Sequence, residues 1–162
     1  MAMEILDGLP PKPLWPEQIY TLPEVHYGQK LNVASELLDR NAEGDRGNRP
    51  AIFSGEETLT YAELARRVNR LAHGLRRLGL GRGDRLLLRL PNCPEFIITW
   101  LACQKLGVVT VGTMPLLRSR ELAYIAGDAE ISTAVVWGGI REELEKAQTM
   151  ARLIIAGEVS AG

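Results

Sequence analysis

The sequence predicts an α/β fold, a mostly parallel sheet with helices on both faces. Three observations carry that expectation. Short apolar runs alternate with helical patterns at the spacing of right-handed crossovers. Leu86 to Leu90 is a leucine run with Arg89 as its only polar residue, which suits a strand buried on both faces. Leu59 to Arg85 reads as a capped amphipathic helix, a glycine stop and a turn into that strand.

The elements follow in chain order. Residues 1 to about 30 hold five of the nine prolines, Pro10, Pro11, Pro13, Pro16 and Pro23. An irregular, partly extended arm is expected there, with Leu14, Trp15, Ile19 and Tyr20 as its available anchors. From residue 31 to 162 the pattern is that of an α/β subdomain. Asn32 is placed to cap a helix over Val33 to Arg40, and Asn41 to Pro50 reads as a loop. Ala51 to Phe53 and Thr58 to Thr60 read as a small hairpin.

Thr60 and Glu63 have capping-box spacing, since each can satisfy the other's backbone amide. Leu64, Val68, Leu71, Ala72, Leu75 and Leu78 then form one apolar stripe, and Gly79 stands where a helix stop is wanted. After the Leu86 strand, Asn92 is expected to cap a helix with Pro94 in its first turn and Gly107 at its end. Val108 to Gly112 is a β-branched strand. Ser119 is the expected cap of a helix through Ala126, with Gly127 ending it. Thr133 to Trp137 is a strand, about Ile140 to Met150 a charged helix, and Leu153 to Ala156 a last strand. The tail from Gly157, GEVSAG, has no closing element and reads as a cut or a premature stop.

Composition excludes several classes. Hydrophobic residues make up 46% and the net charge is -1, so nothing in the overall balance points to nucleic acid or an anionic membrane. The start, MAMEILDGLPPKP, has neither the basic nor the apolar region of a secretory signal. Gln104, Lys105 and Gly107 interrupt the most apolar window, Phe96 to Leu117, so it reads as helix then strand rather than a span of about 20 apolar residues. Cys93 and Cys103 lie too far apart for a CxxC site, and reduced thiols in a cytoplasmic protein are expected.

Each candidate for chemistry has a folding explanation beside it. Gly79, Gly81 and Gly83 close a helix and precede a strand, which is the reverse of a dinucleotide loop, so a turn is the better reading. Gly138 and Gly139 have the correct polarity, but the helix behind them opens with Arg141 and two glutamates that would repel phosphate. Arg66, Arg67, Arg70, Arg76 and Arg77, with His73, give the first long helix a basic face. No aromatic is interleaved with it, so a solvated or domain-facing surface is preferred over nucleic acid or CoA. His26 and His73 lack metal or triad spacing, and Ser54, Ser119 and Ser132 sit in turns or caps. Asn92 to Glu95 lies at a strand's C-terminal edge, where ligands bind in open sheets, but capping accounts for it. Thr113 to Leu117 follows another strand end. No catalytic, cofactor-binding or metal residue is assigned.

The order of letters says more. LTYAEL, NRLAHGLRRLGL and GRGDRLLLRLPNCPEF, followed by QKLGVVTVGTMPLLRSREL from Gln104 to Leu122, resemble the opening of the adenylate-forming superfamily. The resemblance covers roughly residues 31 to 147, and LLRLPNCPEF and TMPLLRSREL look most like benzoate and 2-aminobenzoate CoA ligases. It implies the first portion of a large N-terminal domain, with Thr113 to Leu117 in that domain's interior.

The parent activity so implied is an acid–CoA ligase using ATP, Mg²⁺ and CoA to activate a carboxylic acid, aromatic by resemblance. Such enzymes need a Ser/Thr/Gly-rich loop ending in Lys, an aromatic-Thr-Glu segment, an Asp for ribose and a C-terminal Lys, placed to stabilise developing charge. None of these motifs occurs in this sequence, so the chain alone is expected to be inactive. Two alternatives stay open. One is a free-standing α/β module that binds a partner; the other is the start of an adenylation domain serving a carrier protein.

Overall fold

The computed structural model describes residues 10–157 except 18 and 29. Its centre is a four-stranded sheet in the order β4-β3-β5-β6, parallel throughout, built from Arg85–Arg89 (β3), Val109–Gly112 (β4), Thr133–Trp137 (β5) and Arg152–Ala156 (β6). A separate antiparallel hairpin pairs Pro50–Ser54 (β1) with Glu57–Thr60 (β2). The expected fold class is the one observed.

Alternation along β3 divides the core in two. Leu86 and Leu88 point to the face that carries Tyr61–Arg77 (α2) and Pro94–Leu106 (α3), together with Val68, Leu75, Leu101 and Cys103. Leu87 points the other way and packs with Ala134, Val136, Leu122 and Leu144, the last two from Ser119–Asp128 (α4) and Glu142–Ala147 (α5). The three leucines are at most 1% exposed, and each stabilises by about 1.5–3 kcal/mol relative to an exposed side chain.

The start of α2 is the expected capping box. Glu63 N–H donates to Thr60 Oγ1 at 3.3 Å, while Thr60 N–H and Oγ1–H donate to Glu63 Oε2 at 2.9 Å each. Its end is a Schellman turn. Gly79 adopts φ +90°, its N–H donates to Arg76 O, and Leu80 N–H donates to Leu75 O. The stripe differs from expectation at its last position. Leu78 is 43% exposed, and Leu80 takes the buried place because the glycine turn swings the chain back under the helix.

Several expected boundaries need correction. Asn32 does cap the first helix, accepting from Ala34 and Ser35 N–H, but the turns that follow are a π segment, Ser35–Asp39, and one α-turn, Arg40–Ala42 (α1). The cap of α3 is Cys93 rather than Asn92, with no side-chain bond, so Pro94 at the first position leaves one fewer amide to satisfy. The cap of α4 is Arg118, not Ser119. Glu121 accepts from the Arg118 amide, and the Ser119 amide is satisfied from a distance by Glu143 at 2.9 Å. Gly127 lies inside α4 rather than after it, and α5 ends at Ala147 because Gln148 turns left-handed at φ +52°.

The described part of the arm contains two short 3₁₀ turns, Lys12–Leu14 and Pro23–Val25. The expected anchors Leu14, Trp15, Ile19 and Tyr20 are 73%, 44%, 74% and 52% exposed, so they lie on the surface instead of in the core. The tail beyond Gly157 lies outside the described residues. No helix among the described residues is long and apolar enough to cross a membrane.

The α2 cap and the α3 core generate three predictions. Acceptance from Thr60, its amide first and its hydroxyl second, holds the Glu63 carboxyl below the ordinary glutamate range. A lowered folded value means this stabilisation is complete above the unfolded value and is lost as pH falls through the folded one. Thr60→Ala is expected to cost about 1 kcal/mol in urea unfolding at pH 7, and Glu63→Gln to flatten the acid limb of the stability profile. For Cys103, burial pushes the thiol up to about 12. In native protein at pH 8, iodoacetamide mass shifts should appear on half-buried Cys93 and not on Cys103 until the chain unfolds.

Candidate functional site

A parallel sheet gathers all its strand C-termini on one edge, and in open α/β sheets ligands bind outside that edge. Here the edge is formed by four chain segments. They are Leu90 to Glu95 after β3, Thr113 to Arg118 after β4, Gly138–Ile140 after β5 and Gly157 after β6. Gly157 adopts φ +74°, and a Cβ there would stand 2.3 Å from the Trp137 ring, so these two residues close the β5–β6 corner by contact that only glycine permits.

Arg89 organises the edge. The side chain is 1% exposed and, among the described residues, has no carboxylate within ion-pair distance. Its guanidinium instead donates to four main-chain carbonyls: Nη1 to Met114 O at 2.7 Å, Nη2 to Pro115 O at 2.8 Å and Leu117 O at 2.9 Å, and Nε to Ile140 O at 3.3 Å. Burial pulls its pKa down and the nearby Glu143 charge opposes this, but a guanidinium stays a cation throughout. One side chain therefore fixes the loop after β4 and the turn after β5 against each other. The sequence contains the signal, a lone arginine at the end of a leucine strand, but its partners lie 25 to 51 residues away and are invisible to spacing.

Glu143 supports the same corner. It accepts from Ser119 N–H, which lowers its pKa most, and receives Lys146 Nζ at 3.3 Å and Arg118 Nη1 at 3.6 Å. The glutamates expected to repel phosphate from the Gly138–Gly139 turn are thus occupied as structural acceptors and as neighbours of cations. Thr113 Oγ1, at the edge, is buried and makes no hydrogen bond among the described residues.

Asn92, Cys93 and Pro94 line a shallow cleft of about 140 Å³ with Ile52, Phe53 and Ile97, between the hairpin and the start of α3. Burial raises the Cys93 thiol's pKa, which disfavours a nucleophilic thiolate. Two other clefts, both larger than this one, lie on the opposite, N-terminal edge. One of about 630 Å³ is lined by Lys30, Asn32, Arg82, Lys105 and Gly107, and spacing gave no hint of it. Lys105 is already paired with Asp39 at 2.5 Å, and the C-terminal carbonyls of α3, two of which accept from Asn32, place negative potential there.

The glycines before β3 behave as turn residues. Gly81 N–H is taken by Asp84 Oδ2 at 2.7 Å and Gly83 N–H by Gly107 O at 2.9 Å, which leaves no amide cradle for phosphate. Arg66, Arg67, Arg70, His73, Arg76 and Arg77 are exposed along the outer face of α2, with Arg67 paired to Glu57 at 2.7 Å. Among the described residues no cluster of three His, Cys, Asp or Glu is placed to hold a metal.

Comparison with known proteins is consistent with this architecture. Residues 38–160 match the family described as "AMP-binding enzyme". The chain is 39% identical over 142 residues to acetyl-coenzyme A synthetase of Methanothrix thermoacetophila, covering 84% of this chain and 20% of that protein. It is 35% identical over 120 residues to salicylyl-CoA synthase / salicylate adenylyltransferase of a Streptomyces species, covering 68% and 22%. The fold superposes on a benzoate CoA ligase from Burkholderia xenovorans with TM-score 0.73 and 25% identity, covering 79% of this chain and 26% of that one. The chain therefore spans about a fifth of the length of these curated relatives. With the family matched over most of its residues, the chain belongs to the AMP-binding enzymes.

Proposed function

We propose that this chain is the N-terminal portion of an ATP-dependent acid–CoA ligase. In such an enzyme a carboxylate attacks the α-phosphate of ATP, giving acyl-AMP and pyrophosphate, and the CoA thiol then displaces AMP. The observation that carries the reading is the family match over residues 38–160 on a sheet that superposes on a CoA ligase.

The residues of this chain do not fit the nucleotide. The Arg89 donors are committed to carbonyls, the Gly81 and Gly83 amides are taken, and Glu142 and Glu143 follow the Gly138–Gly139 turn. We therefore assign ATP, Mg²⁺ and CoA to regions of the ligase that this chain does not span, and give the chain the role of scaffold. The substrate we favour is an aromatic acid, supported by the motif resemblance and by the salicylate-activating relative. An acetate-like acid is the second reading, supported by the acetyl-coenzyme A synthetase likeness over 84% of the chain. Free thiols at Cys93 and Cys103 support a cytoplasmic setting.

The purified chain is expected to release no pyrophosphate from ATP with benzoate, salicylate or acetate, and carboxylate-dependent release would overturn the scaffold role. The ligase reading is tested by placing residues 38–160 into the Burkholderia benzoate CoA ligase in place of the matching segment. A folded chimera should retain benzoate-dependent release; a folded but silent one would count against the assignment.

A further inference from the structure

We propose that the outer face of α2 is a docking surface for an acidic amphipathic helix of a separate protein. The inference is independent of the ligase reading. At about 100° per residue, Arg66, Arg70, His73 and Arg77 fall within about 60° of one another. All four are exposed, and they stand opposite the buried Val68, Ala72 and Leu75. Their spacing, i, i+4, i+7 and i+11, is that of a seam along which two helices pack. Arg67, Leu71, Gly74 and Leu78 form a second row at the same spacing beside it, in which only Arg67 carries charge.

Two observations separate this face from an ordinary solvated one. The first is uncompensated charge. Among the described residues Arg70, His73 and Arg77 make no ion pair, and Arg66 reaches only Glu63, at 3.9 Å. Arg67 has a close partner, Glu57 at 2.7 Å. Arg66, Arg67 and Arg70 are like charges three and four residues apart, which weakens a helix unless counter-charge is supplied. The second is Gly74. Glycine inside a helix costs stability relative to alanine. Yet Gly74 has no positive φ, and a Cβ there would meet nothing within 4 Å. Neither the backbone nor the packing of the chain asks for glycine at this position. It leaves a gap between half-buried Leu71 and Leu78, 43% exposed, where another backbone can approach closely.

A helix laid along this face sets carboxylates over the charged row and an apolar edge over Leu71, Gly74 and Leu78. Arginine forks take a carboxylate with two parallel bonds. Nucleic acid is the poorer occupant. No aromatic stands among the arginines to stack on bases, and the net charge of -1 gives no general pull on polyanions.

The test is fluorescence anisotropy of a labelled helical peptide titrated with the 162-residue chain. The peptide is built of alanine, leucine and glutamate, with glutamate at i, i+4, i+7 and i+11. It should bind about tenfold or more tightly than a peptide of the same composition whose glutamates are scattered around the helix. Arg70→Gln combined with Arg77→Gln should remove that preference. Gly74→Gln leaves every charge in place and should weaken the matched peptide about fivefold or more. The same variant should melt at or above the wild-type temperature, because glutamine is the better helix former and the position is open. No binding, equal binding of the scattered peptide, or a preference kept by the double variant overturns the proposal. So does a Gly74→Gln chain that binds like wild type or melts lower. Tighter binding of duplex DNA than of the matched peptide assigns the face to nucleic acid and also overturns it. In the folded Burkholderia chimera the preference should persist; its loss there assigns the face to the rest of the ligase and overturns the separate partner.

Discussion

The buried guanidinium of Arg89 sets the shape of the C-terminal edge of this sheet. An arginine buried at the end of a central strand must satisfy its donors within the protein or destabilise it. No carboxylate among the described residues reaches it, and the donors go to four backbone carbonyls from two segments that are distant in sequence. The exchange ties the β4 and β5 exits together and dictates which way the side chains between them face.

The rest of the fold is arranged around that junction. Alternate leucines of β3 serve opposite cores, so α2 and α3 cover one face while α4 and α5 cover the other. Glu143 satisfies the first amide of α4 from the first turn of α5, which locks the second layer to the Arg89 corner. At the other end of the sheet, Arg152 of β6 donates to Leu78 O at the close of α2, and Gly83 bonds to Gly107. The N-terminal edge is thus a set of completed turns, whereas the C-terminal edge displays surface. This polarity agrees with a scaffold whose chemistry is supplied from beyond the strand ends.

Legibility in the sequence followed the range of the interaction. The Thr60–Glu63 box, the α2 stripe and the Gly79 stop depend on neighbours within a few residues, and each was readable from spacing. Leu78 and Leu80 exchanged roles because the geometry of the glycine turn, not the helical period, decides which leucine returns to the core. Asn92 and Ser119 looked like caps by residue type, but Pro94 removed one need for a cap and Glu143 met the other across 24 residues. Arg89 was visible as an oddity in a leucine run, yet its role depends on three separate elements. The family was legible from letter order, in LTYAEL, GRGDRLLLRLPNCPEF and TMPLLRSREL.

The most direct measurement is amide hydrogen exchange on Arg89→Lys against wild type, read residue by residue. Lysine keeps the positive charge but lacks the planar fork that reaches carbonyls from two segments at once. Exchange at Leu116, Leu117 and Arg118 and at Gly139 to Arg141 should accelerate by about tenfold or more beyond any change in the β3 and β5 amides, since each lost charge-assisted bond is worth about 1.5–3 kcal/mol. Uniform acceleration across the sheet, or unchanged exchange in both loops, would contradict the account.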